Sequence, residues 1–366
     1  MKVSGRQLRR LMLCEGGVSL VELMVALVLS MVLMAGVGQI YLGSKQTYRI
    51  QEGQSRLQEN ARYALEVLSR DIRSVSYMGC KPFVPFVVPL ARSCPTGYFR
   101  SSSTDLQCQP VPPNVIARAP VTAPASTADV LSGQDNIAGS IGSVAVVKGT
   151  SAITVQFGAS CGGNVAVASV GKNSITLSPT NTCGTITPSK NCGAKGGCSG
   201  GKVLLVANCS KADVFRASTV TNNDDGTVTI GIATTENTSL LSSVYDRGEM
   251  MLFNSYTYFI GVNPSGEPAL YRFDNNANSS DEVVEGIENM QIQYGVDTDA
   301  TPDGSANLPY QKSTDGVNWT RVLSVQIILT VRPYNSDVNY YDQRLVKNFT
   351  STISLRNRLQ STVNLP

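Results

Sequence analysis

Apolar and polar positions fall into three different rhythms along the chain. Residues 23–44 carry no charged side chain. As a helix this stretch spans about 33 Å, enough to cross a hydrocarbon core of ~30 Å. Beyond it, Leu57, Ala61, Leu65, Leu68, Ile72 and Val75 recur at steps of three and four, the mark of one apolar stripe on a helix. Gln51, Glu52, Arg56, Glu59, Arg62, Arg70 and Arg73 fall on the opposite side. Together the two stretches predict one nearly continuous helix over 18–76, about 88 Å long. Its first half is apolar all round, and its second half packs one face against a globular part. Met78-Gly79-Cys80 followed by Pro82 ends it.

The rhythm then changes. Residues 81–130 are rich in Pro, Ser and Thr and predict irregular loops. From 131 onward, short β-type runs lie between turn residues: 143–147, 152–157, 174–177, 202–207, 214–216 and 227–232. In a second block, 255–262 and 269–273 flank Asn263-Pro264-Ser265-Gly266-Glu267, a hairpin signal. Residues 284–294, 322–331 and 349–355 alternate apolar and polar positions, as antiparallel strands with one buried face do. The fold class predicted is α+β, a long N-terminal helix with a transmembrane half and an amphipathic half, packed on a β-rich, disulfide-bonded head. The divisions are 1–17, a leader; 18–44, the membrane helix; 45–80, its amphipathic continuation; 81–210, an irregular, cysteine-rich β region; and 211–366, an antiparallel β-rich region.

Composition supports an exported protein. The chain is 42% hydrophobic and 16% charged, with 32 glycines, which suits a β-rich, loop-rich extracellular chain. Lys2, Arg6, Arg9 and Arg10 against Glu15 account for the whole formal charge of +3. Basic flanks stay on the cytoplasmic side, so the remainder faces outward, into the periplasm of a two-membrane bacterium. No basic patch on the rest argues for nucleic acid. There is no histidine, which removes the commonest general base and metal ligand. No nucleophile constellation or cofactor motif stands out, so no catalytic residue is assigned and no enzyme is expected.

Of nine cysteines, Cys14 precedes the apolar stretch. The other eight, Cys80, Cys94, Cys108, Cys161, Cys183, Cys192, Cys198 and Cys209, read as a disulfide framework in an oxidising compartment, with 105 pairings open. The sequence holds no CxxC, so zinc is the weaker reading. Asp297, Asp299 and Asp303 lie in an acidic loop of the kind that can hold calcium. Thr301 and Pro302 occupy places where an EF-hand needs a ligand and glycine. A solvated turn is the reading favoured for it, and no other cofactor is implied.

The strongest signal precedes the apolar stretch. Gly16-Gly17-Val18-Ser19-Leu20-Val21-Glu22-Leu23 places one carboxylate just inside an apolar helix, where a charge is expensive in lipid and usually functional. An ordinary signal peptide has a shorter apolar region followed by small residues at the cut. The segment resembles the prepilin peptidase site of type IV pilins. That resemblance implies cleavage after Gly17, an N-methylated Val18 as the new N-terminus, and an assembly contact through Glu22. Pilins commonly start with phenylalanine and bend the helix at a proline; this chain has Val18, and Gly36 and Gly38 in place of the proline.

Four further segments, 201–209, 285–299, 322–332 and 354–358, are similar to the pattern of the PilW family of minor pilins. The resemblance implies a structural subunit that takes part in initiating type IV pilus assembly, in a minor-pilin complex at the inner membrane and at the pilus tip. Implied partners are other minor pilins, the major pilin, the prepilin peptidase and a large tip adhesin. A J-type minor pseudopilin of type II secretion is the alternative reading, and a signal-anchored periplasmic enzyme a more distant one.

Overall fold

The computed structural model describes residues 19–79, 130–166, 171–179, 182–189, 201–208, 212–234, 237, 240–245, 248–301, 303–332 and 346–358, with short strand pieces at 87–89, 98–99, 109–110, 339–340 and 343–344. Gly17, Val18, Cys80, Cys94, Cys108, Cys192, Cys198 and Cys209 lie outside the described residues. The chain forms two compact units, Met1–Gln54 and Ser55–Pro366.

One helix, α1 (Leu20–Ser74), runs through the predicted range. It ends a few residues before the expected Gly79, because Ser76 takes a left-handed conformation (φ 67°) that no helix continues through. Within the second unit its buried face is Leu57, Ala61, Ala64, Val67, Leu68, Ile72 and Val75. Each large aliphatic buried there contributes ~1.5–3 kcal/mol. Leu65, assigned to the stripe by spacing, is only partly buried. The stripe of a helix is wide enough for positions 64 and 65 to compete for it, and the small Ala64 takes the close approach. All seven polar residues expected on the far face are exposed.

The head contains the strands β1 (Leu131–Gln134), β2 (Ala152–Asn164), β3 (Ser174–Leu177), β4 (Val203–Ala207), β5 (Ala212–Arg216), β6 (Thr219–Asn222) and β7 (Val228–Gly231). They are followed by β8 (Glu249–Val262), β9 (Pro268–Asp274), β10 (Ser279–Glu285), β11 (Ile287–Val296), β12 (Val322–Val331) and β13 (Lys347–Ser354). The long β8 organises the main sheet. β2 pairs with it along 249–258, while β4 and then β9 share its other edge. β5 lies beyond β4, β10 beyond β9, and β1 beyond β2. Two smaller antiparallel sheets follow the orders β6-β7-β3 and β11-β12-β13. The buried stripe of α1 shares one apolar core with β8, β11 and β12, so the helix covers the main sheet and the β11-β12-β13 sheet.

Two strand expectations are corrected. Residues 284–294 form two strands, not one, because Gly286 adopts φ 79°. A Cβ there would lie 2.6 Å from the carbonyl oxygen of Arg332. The Gly286 amide donates to Pro268, ending β10, and its carbonyl accepts from Arg332, starting β11. A register shift between Ile287 and Asn289 then explains why apolar positions step by three there before alternating. β2 extends past its expected end to Asn164. Its Gly158 permits a close crossing, since the Gly158 amide donates to the Tyr77 carbonyl (2.7 Å) where the chain leaves α1.

The expected turn at 263–267 forms, and a second links β6 to β7. Asn263 closes onto Glu267 with Gly266 at φ 82°. Asp225 accepts from the Thr227 amide between β6 and β7.

Candidate functional site

The first unit presents a surface that water does not stabilise. Large apolar side chains from Leu20 to Leu42 are exposed over their whole circumference, from 51% at Leu27 to 78% at Met34. A patch of this size marks contact with lipid or with other apolar helices, and this helix is long and apolar enough to cross a membrane. The hydroxyls of Ser30 and Thr47 turn back onto the carbonyls of Ala26 (2.7 Å) and Gly43 (2.9 Å). They therefore leave no donor exposed to hydrocarbon. Glu22 sits in the first helical turn and is exposed. A carboxylate there is favoured by the helix N-terminus and is the one charge among the apolar residues 20–44.

The second unit fixes the other end of α1 with polar contacts inside the apolar core. Asp71 is 4% exposed and accepts from the Tyr258 hydroxyl of β8 (2.5 Å) and from Arg70 Nε (3.1 Å). Burial, together with Asp71, holds the Tyr258 phenol well above its ordinary pKa. Beside this pair, the Arg272 guanidinium stacks on the Tyr256 ring (4.8 Å) and pairs with Asp281 (3.1 Å).

Just past the helix, the side-chain amide of Asn357 donates to the carbonyls of Arg73 (3.4 Å), Ser74 (3.5 Å) and Val75 (3.0 Å). The Arg73 and Ser74 carbonyls belong to the last helical turn, which lacks intrahelical partners, and Ser74 also accepts from the Tyr77 amide (3.0 Å). Next to Asn357, Arg358 is buried and donates to Ser76 Oγ (3.1 Å) and to the carbonyls of Trp319 and Val322. Burial pushes its guanidinium down to about 10. Trp319 in turn packs edge-on against Tyr294 (4.8 Å). The C-terminal end of the chain thus locks the exit of α1 to the β11-β12-β13 sheet.

Comparison with known families decides what carries this arrangement. The family model for PilW, type IV pilus-assembly protein W, matches residues 257–364. This part of the chain is similar to that family. No curated protein and no solved structure matches it. The PilW match covers under a third of the chain, from β8 through the C-terminal lock, and so includes Tyr258, Asn357 and Arg358. PilW is a pilus-assembly family, and an apolar N-terminal helix able to span a membrane fits association with a pilus.

The remaining candidate residues divide as follows. Asp297, Asp299 and Asp303 come together, with one carboxylate oxygen of each within 4.8 Å of the others. They are hard oxygen donors of the type calcium takes. The loop already uses them internally. Asp297 accepts from the amides of Asp299 and Gly304, Asp299 from Asn307, and Asp303 from the Ser305 amide. Arg321 also brings a cation to the loop, on the carbonyl of Asp299 (2.8 Å). That is the chemistry of a self-satisfied turn.

Cys161 and Cys183 form a disulfide inside a separate apolar cluster with β3, β4 and β7. Sequence reasoning missed Asp71–Tyr258 and Asn357–Arg358. Asp71 had a signal, a carboxylate set between Leu68, Ile72 and Val75 on the apolar stripe. Tyr258 had none.

Proposed function

We propose that this chain is a structural minor pilin that takes part in initiating type IV pilus assembly. The observation that carries the reading is the pairing of two features: a fully exposed apolar helix with a single carboxylate in its first turn, and a head whose C-terminal part matches PilW. Prepilin peptidase cuts after Gly17, and Val18 becomes the N-methylated terminus. The new amine lies four residues before Glu22 in the chain. In a bundle of such helices the carboxylate of one subunit meets the amine of its neighbour and sets the axial register as apolar faces pack. Breaking a buried pair of this kind by removing one partner costs ~3–5 kcal/mol.

The subunit begins in the inner membrane with its head in the periplasm. It assembles there with other minor pilins and the major pilin, and ends in the fibre or at its tip, where a large adhesin is a further partner. A J-type pseudopilin would share the anchor and differ in the machine it serves.

The test is the N-terminus of the membrane-extracted protein, read by intact mass and peptide sequencing from cells with and without prepilin peptidase. A methylated Val18 start that needs the peptidase is expected, with Glu22→Ala processed normally yet failing to support surface pili. An unprocessed start in both strains refutes the pilin reading. Loss of secreted enzymes with pili intact would assign it to a secretion pseudopilus instead.

A further inference from the structure

Past its apolar stretch, α1 changes character within the first unit. Tyr41, Lys45, Tyr48 and Arg49 are all exposed, the two phenols at 66% and 67%. At about 100° per residue they fall within one arc of roughly 100° on the helix. Gln39, Gly43, Gln46 and Ile50 occupy the opposite side and carry no charge. No aromatic residue occurs from 20 to 40, and no acidic one from 23 to 51.

Length places this arc at a boundary. From Glu22 to Tyr41 the helix rises about 29 Å, which matches a hydrocarbon core of ~30 Å. Tyr41 therefore marks the far end of the apolar span, and Lys45 and Arg49 follow about 6 and 12 Å beyond it. Side chains on a helix lean toward its N-terminus, so both cations lean back toward the lipid with their stems along apolar surface. Tyrosine suits such a boundary, with its ring in the apolar layer and its hydroxyl in the polar one. Charge says which polar layer fits. Among the described residues Lys45 and Arg49 form no ion pair, and neither phenol hydroxyl has a hydrogen-bond partner. Glu52, the nearest carboxylate along the chain, is already engaged, as is Arg56. Residues 39–51 hold two positive charges and no negative one.

We propose that Tyr41, Lys45, Tyr48 and Arg49 form a docking face for the net-negative headgroup of an acidic phospholipid, in the headgroup layer at that end of the span. The two cations pair with its phosphate, and the phenol hydroxyls donate to the phosphate oxygens. Contact along one arc fixes both the depth and the rotation of the helix in the membrane. The inference rests on reading residues 20–44 as a membrane span.

The test uses the full chain in phosphatidylcholine nanodiscs that carry a trace of one photoreactive lipid. Two probes hold the reactive group in the headgroup, one on phosphatidylglycerol and one on phosphatidylcholine, and a third holds it in the acyl chain. Adducts are mapped by peptide mass spectrometry. Each basic residue near an acidic headgroup contributes about five-fold. Adducts at 41–49 should therefore form roughly ten- to thirty-fold more often with the phosphatidylglycerol probe, and less so at high salt. Lys45→Gln with Arg49→Gln, at exposed helical positions, should keep the melting curve of the head and bring the two headgroup probes level at 41–49. Labelling of residues 1–17, which these substitutions do not touch, is the reference. Soluble glycerol phosphate in millimolar excess should not compete; competition would make this a site for free phosphate and overturn the lipid proposal. Equal labelling by the two headgroup probes in the parent overturns it and leaves the arc to a protein partner. A preference that survives the double substitution overturns it as well. If the acyl-chain probe fails to label 20–42, the span is refuted and the proposal with it, whereas equal headgroup labelling with 20–42 labelled refutes the proposal alone.

Discussion

Tyr258→Phe tests how the head holds its helix. The hydroxyl removed is buried and donates to a carboxylate that is itself 4% exposed, at 2.5 Å. A hydrogen bond to a charged acceptor is worth ~1.5–3 kcal/mol. Arg70 stays beside Asp71, but its side chain is 67% exposed, and pairs at such positions contribute little. The loss therefore approaches the full figure. At 2–4 °C per kcal/mol, Tm of the head should fall by about 4–10 °C, read by circular dichroism on the full chain in detergent. Asp71→Leu should cost about as much, because it leaves the buried phenol without its acceptor. The double variant, Asp71→Leu with Tyr258→Phe, should recover most of the loss, since an apolar pair needs neither partner. A coupling of at least ~1 kcal/mol across this cycle is expected. A change below ~0.5 kcal/mol for Tyr258→Phe, or additivity within that margin, would show that the core alone fixes the helix and that the contact is incidental.

Three further outcomes follow from the head. Replacing Cys161 and Cys183 together with serine should cost about 3 kcal/mol, the loop-closure value for cysteines 22 residues apart, seen as a lower urea midpoint; an unchanged midpoint argues against it. Burial raises the phenols of Tyr245, Tyr258, Tyr271 and Tyr294, that of Tyr271 to about 12. Their stabilisation is complete below the unfolded value near pH 10 and is lost as pH climbs toward the folded values, by up to ~1.4 kcal/mol per unit for each group. Arg358, lowered to about 10, opposes this with one group against four, so Tm should drop steeply above pH 10, and a flat profile would contradict the burial of these phenols. Asp297→Ala strips the acceptor from the Asp299 and Gly304 amides and should cost ~1–3 kcal/mol. Millimolar calcium should leave the parent Tm within about 1 °C, and a larger calcium-dependent rise that Asp297→Ala removes would make the loop a cation site.

What the sequence shows and what it conceals divide along a physical line. Periodicity reports which side of an element faces apolar surroundings, so α1 and the alternation of β12 could be read from residue spacing, and the 263–267 turn from its Asn, Pro and Gly. It does not report what lies across the interface. Nothing near Tyr258 in the chain announces Asp71, since the two meet only when β8 slides under the helix. Backbone conformation is equally hidden: Gly286 in a run of alternating residues reads as one more strand position until its positive φ and the Arg332 carbonyl that closes on it are known. Asn357 and Arg358 were legible only as part of a family-like pattern. Their work there is to satisfy the carbonyls at the exit of α1 and to tie Ser76 to Trp319 and Val322.

These contacts explain why a chain with so apolar an N-terminal helix carries polar groups in the core of its head. A stripe of aliphatic side chains can slide by one turn along a sheet at modest cost, because the hydrophobic effect is non-directional. A buried carboxylate with one hydroxyl to meet cannot, since a shift of one turn would leave Asp71 and Tyr258 both without partners. Asp71 at one place and Asn357 with Arg358 at the next therefore fix a single axial position of the helix against the sheets.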